Sequence, residues 1–271
     1  MKKTQNLKEV ITTYVCPGKN LSAKDLDSLY NELLMVAKET LDEIPDYQCL
    51  KSDKSDFDKL IISVARNQQG EVLGFCSSYV FDIQKFGNVL HLGLTCIRYQ
   101  ARGLGLTHRL TGNVVFHFIL KFALFKKAWV SNVACVLSSL GNMSQYFEDV
   151  YPSPYFNNKI DDHLDLAIYF SQNYRRELYI RDEAIFNESR FIFEGSVLGN
   201  MFQKKANDFK YHHRDHKLNF YYKYLMNFDN GDEILQIGKV SLFTFPKYLI
   251  NQFFKKIKPK SMDKIFSKNS I

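Results

Sequence analysis

The chain's sharpest chemical feature is Gln100-Ala101-Arg102-Gly103-Leu104-Gly105, between a β-rich run ending near Ile97 and a helical pattern reaching Lys126. Two glycines at a strand-to-helix junction let the backbone turn tightly and let a ligand approach without a Cβ in its way. The first turn of a helix points unpaired N–H groups outward, and its dipole favours an anion. That combination suits a pyrophosphate. It is not the dinucleotide fingerprint, which needs glycine where His108 stands, and no Gly-Lys-Ser/Thr follows to make a P-loop. On spacing alone, the plain start of a helix explains the glycines equally well.

Other reactive residues form weaker groupings. His212 and His216 are four apart, a usable metal-ligand spacing on a helix. Lys210, Arg214 and Lys217 surround them and oppose a dication, so a solvated basic face is the preferred reading. No Gly-x-Ser-x-Gly elbow supports a serine triad. Phe209, Tyr211, Phe220, Tyr221, Tyr222 and Tyr224 interleave with Lys204, Lys205, Lys210, Arg214, Lys217 and Lys223, a pattern that would suit single-stranded nucleic acid. No RNA-binding signature accompanies it, and a core face with solvated lysines is preferred. The same aromatic stretch could instead wall a ligand pocket.

The elements that must position the loop follow from periodicity. Leu7–Val15 reads as a strand closed by Pro17-Gly18. Ser22-Ala23-Lys24-Asp25 resembles a capping box, and Leu26, Leu29, Tyr30, Leu33, Leu34 and Ala37 form an apolar helical stripe. Leu60–Arg66, Glu71–Ile83 and Val89–Ile97 make a three-strand meander, the long helix follows the glycine loop, and Ala128–Leu137 is β-rich again. A strand, a helical crossing and another strand predict a parallel pair. The fold class is α+β: a mixed, mostly antiparallel sheet with flanking helices.

Beyond two prolines at Tyr151-Pro152-Ser153-Pro154, Leu164–Tyr179 and Ala206–Phe228 read as helical, and Glu233–Phe245 as a strand pair. Residues 1–151 are read as one domain, 152–250 as an aromatic-rich α/β extension and 251–271 as a basic tail.

Gln100-x-x-Gly103-x-Gly105, after the strand Val89–Ile97, resembles motif A of the GNAT superfamily of N-acetyltransferases, and the order of elements over residues 7–151 matches as well. The resemblance implies acetyl-CoA or another acyl-CoA as co-substrate, an amine acceptor and a V between splayed fourth and fifth strands. It implies pyrophosphate on the amides from Arg102 to Thr107, with Gln100, Ala101, Gly103, Leu104, Gly105 and Leu106 shaping the loop, and strand amides near Cys96 and Ile97 polarising the thioester carbonyl. Aligning Tyr146 with the family tyrosine, which protonates the departing thiolate, puts Ser139 at the family's asparagine position, with Asn142 as the alternative cofactor contact. A core tyrosine at a helix end is the other reading of Tyr146.

Amine acylation also needs a base. No Asp or Glu occurs between Asn88 and Asn142, and His91 is the one residue in the fourth strand with a suitable pKa; it is either the base or a histidine without a role. Asp82, Glu148 and the second half stay open as sources of a base. Cys96 reads as an inert strand thiol. The missing carboxylates favour a second reading, a non-catalytic acyl-CoA-binding or partner-binding protein on the same fold.

Composition bounds these readings. At 45% apolar and 24% charged residues, disorder is excluded, and 23 Phe with 16 Tyr supply ample core. Five scattered cysteines without a Cys-x-x-Cys pair point to buried thiols in a reducing compartment. No secretory signal precedes the first strand, and the apolar run Val114–Phe125 is too short for a bilayer, so a soluble cytoplasmic protein is expected. The net charge of +7 sits mostly in residues 251–271, where six lysines face Asp263 alone. That tail is read as a solvated end or as a contact with an anionic surface.

Overall fold

The computed structural model describes residues 9–156 and 158–244. The basic tail and its expected anionic contact lie outside them. Strand β1 (Val10–Val15) leads through a single turn, α1 (Pro17–Asn20), into α2 (Ala23–Thr40). Ser22 caps α2: its Oγ accepts from Asp25 N–H at 3.2 Å and donates to the Asp25 carboxylate at 2.7 Å. Leu29, Leu33, Val36 and Ala37 are the buried side of this helix. A cap is worth about 1 kcal/mol, whereas each fully buried large apolar side chain stabilises by roughly 1.5–3 kcal/mol, so packing holds α2 in place.

Strands β2 (Leu60–Arg66), β3 (Val72–Ile83) and β4 (Gly87–Ile97) form the antiparallel meander, followed by α3 (Leu106–Phe122) and β5 (Ala128–Ala134). β5 pairs with β4 in parallel. α4 (Leu137–Tyr146), β6 (Glu148–Tyr151), α5 (Asp161–Asn173), the hairpin β7 (Ile185–Asn187) and β8 (Ile192–Glu194), α6 (His216–Leu225) and β9 (Glu233–Val240) complete the described chain. The sheet order is β1-β2-β3-β4-β5-β9-β8-β7, with β6 also on β9.

Two departures from the sequence-based expectation share one cause. Glu233–Phe245, expected as a local strand pair, supplies the single strand β9, whose antiparallel partner is the remote β5 along seven residue pairs. The sheet therefore runs without a break past Tyr151. Ala206–Phe228 is not one helix: a 3-10 turn at Phe209–Tyr211 precedes α6, which starts at His216 with Asp215 accepting from Lys217 N–H at 2.9 Å. His212 thus lies outside the helix that holds His216, and the two do not share a helix face. Its Nε2 lies 2.9 Å from the Ala206 carbonyl. No group of three metal-ligating side chains occurs among the described residues.

The core lies in layers. α2 and α5 cover one sheet face, with Leu33 and Phe170 against Phe81 and Phe193 of the strands. α3 covers the other, through Leu106, Leu110, Val114 and Phe118. A third cluster joins α4 to α6 and β9 through Leu140, Leu218, Tyr222 and Ile234. All five cysteines are buried thiols. No helix among the described residues is long and apolar enough to cross a membrane.

Candidate active site

The site begins where two strands part. β4 and β5 are paired only from Val89↔Trp129 to Leu92↔Asn132. Beyond that point β4 stays on β3 as far as Gly74↔Ile97, and β5 stays on β9 as far as Ala134↔Ile234. Each strand is held by its outer neighbour while the inner edges diverge. A one-residue register shift between β3 and β4, opposite Gly93 and Leu94, marks the parting; such a bulge bends and twists the strand that carries it. Gly93 leaves room there for the buried Gln48 side-chain amide, which a Cβ would displace.

A cleft of about 480 Å³ fills the V. Its walls include Cys96, Ile97, Arg102, Thr107, Ser139, Asn142 and Tyr146. Gly103 and Gly105 adopt φ of +82° and +72°, and Gly105 caps α3. The first backbone bond of α3 runs from Arg109 N–H to the Gly105 carbonyl at 3.4 Å, so the amides of Leu106 and Thr107 precede the intrahelical ladder. No side chain caps this end and its first turn holds no acid. It remains a field of donors at the edge of the cleft. The Arg102 guanidinium lies 4.2 Å from the Tyr99 ring centroid. Gln100, Gly103, Leu104 and Gly105 are exposed and adjoin the cleft in the chain, whereas Ala101 and Leu106 are buried anchors under α3.

The parted parallel strands, with the α3 N-terminus beside them, complete the arrangement that the sequence resemblance implies. The fold is α+β and GNAT-like in its order of elements. No protein-family model matches it, and no curated protein does. Solved structures do overlap parts of it. A GNAT-family N-acetyltransferase from Escherichia coli, YhbS, in complex with CoA, is 15% identical over 61% of this chain and 76% of that one, with a TM-score of 0.36. Escherichia coli ElaA is 12% identical over 54% and 93%, at 0.37. An aminoglycoside acetyltransferase from an uncultured soil metagenomic sample, in complex with sisomicin, is 14% identical over 42% and 72%, at 0.32. These overlaps are slight, and the functional reading rests instead on strand order and on the cleft.

Tyr146 ends α4, is 5% exposed and lines the cleft. Arg214 Nη2 donates to its hydroxyl at 2.8 Å, and His108 of α3 meets its ring edge-on at 5.9 Å. Arg214 is held next to α4 by local geometry. Asn219 of α6 accepts from His213 N–H at 2.8 Å and donates to the His213 carbonyl at 2.6 Å, clamping the segment just before α6. Ser139 Oγ donates to Asn132 Oδ1 at 3.4 Å, and Asn132 Nδ2 donates to Gln236 Oε1 at 3.3 Å. This buried chain ties α4 to β5 and β9.

His91 does not have a place in the cleft. It is 1% exposed, and its Nδ1 lies 3.0 Å from Ser131 Oγ. Burial pushes its pKa down to about 3, so it is a neutral core histidine and not the base. The strand alternation that put it in β4 also turned it into the α2–α5 layer, beside Phe81 at 6.2 Å. Burial pushes the Cys96 thiol up to about 11, which removes it as a nucleophile and leaves the strand backbone as its contribution.

A buried carboxyl reaches the cleft from β9. Glu233 lines the cleft, is 7% exposed, and accepts from Ser196 Oγ at 2.7 Å. Burial raises its pKa to about 7, against the pull of Ser196 and Lys204. Asn132, Lys204, Tyr47, Tyr179 and Phe202 complete the wall. Periodicity placed Glu233 at a strand start; only the β5–β9 pairing brings it to the site.

Proposed function

We propose that the protein is an acyl-CoA-dependent N-acyltransferase, moving an acetyl or other acyl group from acyl-CoA to an amine within a ternary complex. The observation that carries this is the cleft between parted β4 and β5, with the uncapped start of α3 on one side and Tyr146 beside it.

The residues present fit the co-substrate. The loop Gln100–Gly105 with Leu106 and Thr107 offers backbone donors for a pyrophosphate, with Arg102 as counter-charge. Ser139 and Asn142 lie on the wall where polar atoms of the pantetheine arm would pass. Acyl-CoA supplies an activated acyl carbon whose leaving group is a thiol. The inner edge of β4 near Cys96 and Ile97, from which β5 has parted, would offer backbone N–H donors to the carbonyl oxygen. Tyr146 gives its hydroxyl proton to the departing sulfur. Arg214, which occupies a lone pair of that oxygen, fixes the phenol and is the counter-charge for the phenolate left behind.

Calorimetry with acetyl-CoA and CoA tests the reading. Micromolar binding is expected, with at least a tenfold loss in the Gly103→Glu, Gly105→Glu double variant, whose carboxylates would meet the pyrophosphate. No binding by the wild type, or equal binding by the folded variant, overturns it.

A further inference from the structure

The cleft is lined by residues from both sides of the sheet, and the two sides differ in chemistry. Alternation along β9 puts Glu233 on the face of Leu235 and Ile237, the face covered by α2 and α5, opposite to α3. Glu233 stands one residue beyond the last β5–β9 pair, Ala134↔Ile234, and so beside Cys135 at the end of β5. On that side the cleft is lined by Tyr47, Tyr179 and Phe202, three rings in mutual contact with centroids 5.4, 6.4 and 5.2 Å apart. Tyr179 and Gln48, the residue after Tyr47, hold positive φ of +59° and +49° without being glycine. Such strain persists only where surroundings impose it, and it collects at binding sites.

Charge narrows the guest. The cations on the cleft wall are Arg102, Lys204 and Lys210; the acids are Glu233 and Asp42, and Asp42 is exposed. Lys204 lies 5.2 Å from the Tyr211 ring centroid. A polycation would meet these lysines with one buried carboxyl in return.

We propose that Glu233 accepts the proton of the acceptor amine, and that this amine is carried on an aromatic or otherwise apolar body laid against Tyr47, Tyr179 and Phe202. The proposal rests on the acyl-transfer reading. The amine nitrogen bonds to the thioester carbonyl carbon, the carbon–sulfur bond breaks, the nitrogen's proton goes to Glu233, and the sulfur takes the Tyr146 proton. Solvent exchange then returns both side chains to their starting forms. No oxidant or further reactant is needed. Ser196, Lys204, Cys135, Tyr47 and cross-strand Phe193 face Glu233 from the elements packed on it. Its pKa of about 7 keeps the carboxylate available at neutral pH.

The test follows thiol release from acetyl-CoA across pH 5.5–9, with 2-phenylethylamine and spermidine as acceptors. An acid limb near pH 7 and at least a tenfold preference for 2-phenylethylamine are expected. Glu233→Gln should lower kcat about 10²–10³-fold without that limb, and Lys204→Met should move the limb to higher pH. A second readout is independent of turnover. A carboxyl raised in the folded state from 4.5 to about 7 makes the wild type lose stability as pH rises through that window. Thermal unfolding should show this loss in the wild type and not in Glu233→Gln. An unmoved limb in both variants, or a preference for spermidine, overturns the inference. Absent acetyl-CoA binding overturns the acyl-transfer reading instead.

Discussion

Arg214 Nη2 donates to Tyr146 Oη at 2.8 Å, joining a residue of the C-terminal segment to the last residue of α4. The hydrogen bond spends one lone pair of the phenol and leaves its own O–H to point elsewhere. The second half of the chain thereby sets the direction of the Tyr146 O–H, the proposed proton donor.

Arg214→Met should therefore lower kcat by roughly tenfold to a hundredfold while leaving CoA affinity unchanged. Tyr146→Phe should lower kcat at least as much. Thiol release and calorimetry separate the two effects. Equal loss of affinity and turnover in Arg214→Met would assign Arg214 to cofactor binding instead.

Gly103 and Gly105 have room around them: a Cβ at either would meet nothing within 4 Å. Their positive φ is the constraint. Gly103→Ala and Gly105→Ala should each cost about 1 kcal/mol in urea unfolding, through the left-handed conformation alone. A neutral result at both would mean that the loop relaxes.

His91 titrates far lower folded than unfolded, so the unfolded chain binds the extra proton between about pH 6.5 and 3. Stability is present above that window and is lost as pH falls through it, by a few kcal/mol at most. His91→Gln should unfold at lower pH than the wild type and keep its turnover within about threefold, as expected of a core residue outside the cleft. A collapse of kcat with an intact fold would restore His91 to the mechanism.

Burial pushes the thiols of Cys96 and Cys135 up to about 11 and about 12. At pH 8 a disulfide reagent should release little signal from the native protein and all five thiols after denaturation. Cys96→Ser should stay active. Rapid labelling of one native cysteine would contradict its burial.

Local pattern explains what was legible. The Ser22–Asp25 cap, the meander, the glycine loop before α3 and the parallel β4–β5 pair are each set by residues close together in sequence or by one helical crossing. The loop was singled out for that reason, and Tyr146 through its alignment with the family tyrosine; both line or adjoin the cleft. Glu233, Arg214 and Tyr179 were not singled out. Each reaches the cleft through pairing or packing with elements far away in the chain, such as Asn132↔Gln236. A turn at Asn230-Gly231 and a carboxylate opening an apolar strand were the available signals, and they fit any exposed strand end. His91 went astray through its place along the strand: it stands opposite Ser131, where β4 and β5 are still paired, and β4 lines the cleft only from Leu92 onward.

The β5–β9 ladder has a consequence for how the chain could be divided. Cut after Tyr151, it would keep every residue of the loop signature and yet end its sheet on β5, with seven residues of unpaired backbone turned to solvent. Bare edges of that length recruit other strands, and aggregates follow. The half that bears the glycine loop is thus not a portable module. Any shortened fragment, fusion or circular permutation that separates β9 from β5 should be insoluble before it is inactive.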